Sequence, residues 1–153
     1  YYHNFVTHYL EAAFQREVYR KVENGESLTA DDLNKIFTEK LEEFWSDSVE
    51  LVDGAELTWM RQPHYYMGLY PYTYSAGLTI GTMISDKIVN GSPEDRDRWI
   101  EVLKLGGSVG PIELAKRAGV DMTSTKPISE TIAFIGSIID QIDELCEKLG
   151  MYK

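Results

Sequence analysis

Apolar residues recur every three or four positions through most of the chain, the spacing of helices with one buried face. From Tyr1 to about Asn24 they fall at Val6, Leu10, Phe14, Val18 and Val22, and Gly25 marks the stop. This helix opens without capping chemistry, so the chain is expected to have been cut from a longer one. A second helix is predicted from about Ala30 to Ser46. Ser27 and Thr29 are its candidate caps, Asp31 and Asp32 fill its first turn, and Leu33, Ile36, Phe37, Leu41, Phe44 and Trp45 form its stripe. Glu39, Glu42 and Glu43 alternate with that stripe as a solvated face. From Asp47 to His64 the periodicity fades; Leu57, Trp59 and Met60 anchor the connection, and Pro63 restrains Gln62 just ahead of His64. Further helices follow: one from near Leu69 to about Val89, one from Pro93 to about Leu105 behind the Ser92 cap with Trp99, Ile100 and Leu103 inward, and a short one from Pro111 to Ala118. The last begins at Pro127 and Ser129 and carries a seam of Ile135, Ile138, Ile142, Leu145 and Leu149, which suits the closing element of a domain.

The stretch His64–Gly77, HYYMGLYPYTYSAG, breaks this pattern, with a histidine and five tyrosines within eleven positions. A buried phenol needs a hydrogen-bonding partner, so hydroxyls at this density point to a polar encounter. On a helix whose first turn tolerates Pro71, Tyr70, Tyr74, Gly77 and Gly81 share one face and Tyr72 points the other way. Two readings stay open: an aromatic hinge between helices, and a wall on which His64 and one or two tyrosines donate to a polarised carbonyl and its developing oxyanion.

Composition narrows the class. The 153 residues suffice for one domain with a core, the apolar and aromatic shares (43% and 12%) are those of a globular protein, and the net charge of −10 argues against a nucleic-acid partner. No apolar run is long enough to span a membrane. The one cysteine, Cys146, reads as a buried thiol on an apolar helical face in a reducing compartment. His3 and His8 stand five apart, about 140° around an α-helix, too far to share a metal, and read as surface or satisfied histidines. His8 and Glu11 at i, i+3 could touch one ion, but nothing nearby supplies a second pair. The glycine pair Gly106–Gly107 lacks the Gly-Lys-Ser/Thr that would make it a phosphate loop.

HYYMGLYPYTYSAG, the upstream GESLTADDLNKIFTEKLEEFW, the lead-in LTWMRQPH and the downstream LKLGGSVGPIELAKRAGVDMTSTKPI together resemble the C-terminal part of the oligoendopeptidase F group, among the thimet-oligopeptidase-like zinc metallopeptidases. The likeness is collinear over nearly the whole chain. It implies an all-α fold, the multi-helix C-terminal portion of a zincin-type oligopeptidase catalytic domain, with residues 1–153 as a single helical domain. It also implies zinc-dependent cleavage of short peptides by a cytoplasmic enzyme. Residue by residue, His64 matches the family's substrate-contacting histidine, and Tyr72 and Tyr74 are both candidates for the transition-state tyrosine. Tyr66, Tyr70, Gly106 and Gly107 fall among the substrate-binding positions. Pro71 departs from the family's usual pattern.

Such a peptidase needs an H-E-x-x-H helix for two zinc ligands and a general base, plus a further carboxylate. This chain has no H-E-x-x-H. The resemblance puts both features upstream of Tyr1, so the zinc is expected in the complete enzyme, with no metal ligand in this segment and no activity from it alone. The implied partners are a short peptide substrate and the upstream part of the same catalytic domain. Two alternatives are a non-catalytic helical module that binds a peptide or protein through its tyrosine-rich face, and a purely structural helical domain.

Overall fold

The computed structural model describes residues 1–151, and among these every regular element is helical. Six α-helices are present: α1 (His8–Glu23), α2 (Ala30–Trp45), α3 (Tyr72–Asn90), α4 (Pro93–Lys104), α5 (Pro111–Arg117) and α6 (Lys126–Lys148). A π-helical segment, Tyr2–Thr7, leads into α1, and two 3-10 stretches, Ala55–Arg61 and Pro63–Tyr66, replace the aperiodic connection. The chain forms two compact units, Tyr1–Ala76 and Gly77 onward.

The first unit is built on Phe14 of α1 and Ile36 and Phe37 of α2, all buried, with Val18, Leu28, Leu33, Leu41, Trp59 and Tyr65 packed around them. Phe14 meets Phe37 edge-on at 5.3 Å and lies near-parallel to Trp59 at 6.3 Å, so the 3-10 connection is drawn onto the helix pair through aromatic contact. The Trp59 indole N–H donates to Asn34 Oδ1 at 2.9 Å and satisfies the one polar atom of that ring. Helix α2 starts where its capping signal stands: Thr29 Oγ1 accepts from the Asp32 N–H, and the Asp32 carboxylate accepts from the Thr29 N–H at 2.8 Å. Those bonds from Thr29 hold the Asp32 carboxyl below its ordinary range.

In the second unit, Ile84, Val102, Ala118 and Val120 form the core, joined by Ile80, Met83, Trp99, Leu114 and Met122. The chain passes from α3 to α4 through Gly91, where any Cβ would run into the Lys87 carbonyl and the Asp95 carboxylate. Ser92 and Asp95 then repeat the reciprocal cap of α2. Gly119, at φ +85°, turns the chain off α5.

Several expectations change, and Phe44, Leu57 and Met60 are exposed rather than packed on the core. Helix α3 begins at Tyr72 rather than near Leu69, with Pro71 buried just outside it, because the Thr73 and Tyr74 N–H groups bond to the carbonyls of Tyr70 and Pro71 in a preceding turn. On α4, Ile100 and Leu103 are exposed; Trp99 and Val102, three apart, carry the contact instead. Along α6 the far half of the seam, Ile142, Leu145 and Leu149, is also exposed. Cys146 is half-buried, since its neighbours on that helix lie open to solvent.

Candidate active site

The sequence from Gln62 to Tyr74 folds back on itself so that His64 meets two of the five tyrosines. Pro63 starts the short 3-10 turn that presents His64. Its ring stacks on Tyr70 (centroids 5.3 Å apart, planes 23° apart), and Tyr74 meets it edge-on at 5.4 Å. Tyr70 and Tyr74 pack in a T at 5.4 Å, the four-residue spacing holding across the turn into α3. The Tyr74 hydroxyl lies 3.2 Å from His64 Nε2.

The direction of this hydrogen bond follows from the other ring nitrogen. His64 Nδ1 is buried and has no protein partner. An orphaned buried N–H costs more than an under-used acceptor, so the network places the proton on Nε2, which donates to the Tyr74 oxygen. The Tyr74 O–H is then left to donate to Tyr70. Hydrogen bonding to Tyr70 first, then burial, then the charges of Tyr70 and Glu11, holds the Tyr74 phenol above its ordinary range. At neutral pH it is therefore a donor backed by a second donor, an arrangement that suits a developing oxyanion.

Beneath this pair lies a polar layer inside α1. His8 and Glu11, 2% and 1% exposed, are joined Nδ1 to Oε2 at 2.7 Å, and the Gln62 amide donates to the other Glu11 oxygen. The His8 ring lies flat on Tyr74, with centroids 4.2 Å apart and planes 16° apart. Against expectation, His3 also reaches His8, with ring centroids 4.7 Å apart. The 140° separation assumed α-helical winding, whereas the π-segment carries an i→i−5 bond from the His8 N–H to the His3 carbonyl and brings residues five apart nearly into line. Gln15, buried one turn further along α1, donates to the Gly68 carbonyl at 2.6 Å and ties the tyrosine loop down.

Of the remaining sequence-derived candidates, Tyr72 is half exposed and Tyr66 is 91% exposed, both outside the ring cluster. Gly106 and Gly107 belong to the second unit, where Gly106 turns the chain beyond α4 at φ +53°. His8, Glu11 and Gln62 did not stand among the site residues read from the sequence. The i, i+3 spacing of His8 and Glu11 was the one signal available for them.

A cavity borders the polar layer at Glu11 and Gln62, and its lining does not include His64, Tyr70 or Tyr74. About 350 Å³ in volume, it opens among the π-segment, α1, α2 and the 3-10 stretch; Tyr2, His3, Phe37, Trp45 and Arg61 are among its walls. The cluster does not fit a zinc ion: Glu11 is committed to His8 and Gln62, and no group of three or more His, Cys, Asp or Glu that could hold a metal gathers among the described residues.

Tyr65 supplies a separate test of the local physics. Its hydroxyl is buried with no protein partner, and burial, assisted by the charge of Glu11, pushes its phenol far above the ordinary range. Tyr65→Phe is expected to stabilise the chain by about 1 kcal/mol in urea unfolding at pH 7. The folded chain keeps this proton longer than the unfolded chain, so this group leaves stability independent of pH below the ordinary tyrosine value of 10.0 and lowers it as pH rises beyond that. The variant should accordingly lose less stability above pH 10 than the parent; an equal loss would contradict the assignment.

The described residues form an all-helical scaffold that gathers His64, Tyr70 and Tyr74, and comparison with known proteins gives its family. The chain belongs to Peptidase family M3, whose profile matches residues 3–134. It is 32% identical over 137 residues to the plasmid-borne oligoendopeptidase F of Lactococcus lactis subsp. cremoris, covering 90% of this chain and 23% of that protein. It is 32% identical over 138 residues to the oligopeptidase PepF of Bacillus subtilis, covering 90% of this chain and 21% of the relative. The crystal structure of oligoendopeptidase-F from Enterococcus faecium superposes with a TM-score of 0.90 at 26% identity, covering 96% of this chain and 28% of that one. The chain thus spans under a third of the length of these relatives. No helix among the described residues is long and apolar enough to cross a membrane.

Proposed function

We propose that this chain is the substrate-polarising segment of a zinc metalloendopeptidase acting on short peptides, corresponding to the C-terminal portion of its catalytic domain. The observation that carries the reading is the His64 to Tyr74 hydrogen bond, with the Tyr74 phenol held above its ordinary range so that it stays a donor. In this reading the zinc, held by residues outside this chain, polarises the scissile carbonyl when bound. The chain's own contribution is separate. Tyr74 donates its O–H to the carbonyl oxygen as negative charge accumulates there, His64 backs the phenol through Nε2–H, and Tyr70 fixes the plane of the histidine. Each such donor, aimed in advance, favours the transition state over the bound substrate.

The chain by itself is expected to bind no stoichiometric zinc and to leave a quenched fluorescent peptide uncleaved. A longer chain that also carries an H-E-x-x-H helix should cleave it. Metal analysis and a fluorescence time course on the two proteins decide the matter, and turnover by the short chain would overturn the division of labour. The second reading, a peptide-binding module without catalysis, draws on the exposure of Tyr66 and Tyr72. It requires Tyr66→Ala to weaken peptide binding while the longer chain shows no hydrolysis.

A further inference from the structure

A carboxylate at 1% exposure in the first turn of an amphipathic helix needs a reason, because burying a charge is costly unless every oxygen is partnered. Glu11 has both oxygens occupied. Oε2 accepts from His8 Nδ1 at 2.7 Å, and Oε1 accepts from the Gln62 amide. The two partners lead to opposite halves of the same hydrogen bond. His8 is the plate on which the Tyr74 ring lies, at 4.2 Å and 16°. Gln62 stands two residues ahead of His64, with only Pro63 between them. We infer that Glu11 is the positioning residue of the His64–Tyr74 pair: one buried carboxylate on α1 sets the plane of the tyrosine through His8 and the anchor point of the histidine through Gln62.

Chemistry explains why a carboxylate serves here. As an acceptor at two oxygens, it fixes a proton of His8 on Nδ1, so that a flipped ring would lose its bond. The flat stack then limits rotation of Tyr74. A misplacement of about 1 Å at a reacting group can cost on the order of a hundredfold in rate. A lever as long as a tyrosine side chain reaches that displacement with a small tilt of its ring. Glutamine at position 11 keeps the shape but has one acceptor oxygen where two are needed.

The catalytic consequence rests on the peptidase reading, whereas the positioning itself does not, so the test has two arms. In this chain, ¹⁵N side-chain spectra of the histidines at neutral pH should show His8 as one Nδ1-protonated tautomer. Glu11→Gln should shift the signals of both His8 and His64 while the far-ultraviolet circular dichroism is unchanged. A mixed-tautomer His8 in the parent, or a His64 signal indifferent to the substitution, overturns the inference. Should Glu11→Gln not fold, Gln62→Met decides: the His64 signal must move while the His8 tautomer stays, and an unmoved His64 overturns the inference. In the longer, catalytic chain, Glu11→Gln should lower kcat about ten- to a hundredfold with KM little changed, and should cost nothing further once Tyr74 is phenylalanine. Independent, multiplicative losses would show that Glu11 acts elsewhere. If the longer chain hydrolyses no peptide, the peptidase reading fails and the spectra still judge Glu11.

Discussion

Tyr74→Phe in the complete catalytic chain is expected to lower kcat about a hundredfold with KM nearly unchanged, the mark of an interaction made only in the transition state. Tyr72→Phe should change turnover less than twofold. The contrast is geometric: the Tyr74 oxygen lies 3.2 Å from His64 Nε2 with its ring clamped between His8 and Tyr70, whereas Tyr72 is half exposed and outside the cluster. Steady-state kinetics on a quenched peptide checks both variants. Equal losses for the two, or a loss confined to KM, would place the oxyanion donor elsewhere.

The second large effect concerns stability. Phe14→Ala is expected to cost about 3–5 kcal/mol, because a 4% exposed ring in contact with Phe37, Trp59 and Tyr65 leaves a cavity that no single neighbour can fill. Against a typical total of about 5–15 kcal/mol, that loss approaches unfolding of the first unit. Urea titration followed by tryptophan fluorescence is the natural readout, since Trp59 lies 6.3 Å from Phe14. The damage should also reach the site: Phe14 supports Tyr65 at 5.4 Å, and Tyr65 directly follows His64. A shift below about 1 kcal/mol would mean that the aromatic cluster is not what joins α1, α2 and the 3-10 connection.

Much of this arrangement is legible in the sequence, and what is not has identifiable causes. The Thr29–Asp32 and Ser92–Asp95 caps and the stop at Asn90–Gly91 are local signals, written within one turn of where they act, and each stands where it was read, whereas the four-residue stripe from Val6 to Val22 keeps Phe14 buried and leaves Val22 exposed. The exposure of Ile100 and Leu103 could not be read that way. Apolar residues on more than one side of α4 do not say which side its neighbours cover. The choice between Tyr72 and Tyr74 turns on where α3 begins, and Pro71 moves that start by three residues from Leu69. Glu11 was hidden by the most dependable rule of all. An acid between apolar positions normally faces water, and the second partner that completes its burial, Gln62, lies fifty-one residues along the chain.

The widened turn at Tyr2–Thr7 has a meaning for how relatives are compared. One extra residue per turn shifts the phase of everything on its N-terminal side, so a row of side chains counted at uniform spacing lands on the wrong flank before position 8. The family profile begins its match at residue 3, inside that turn.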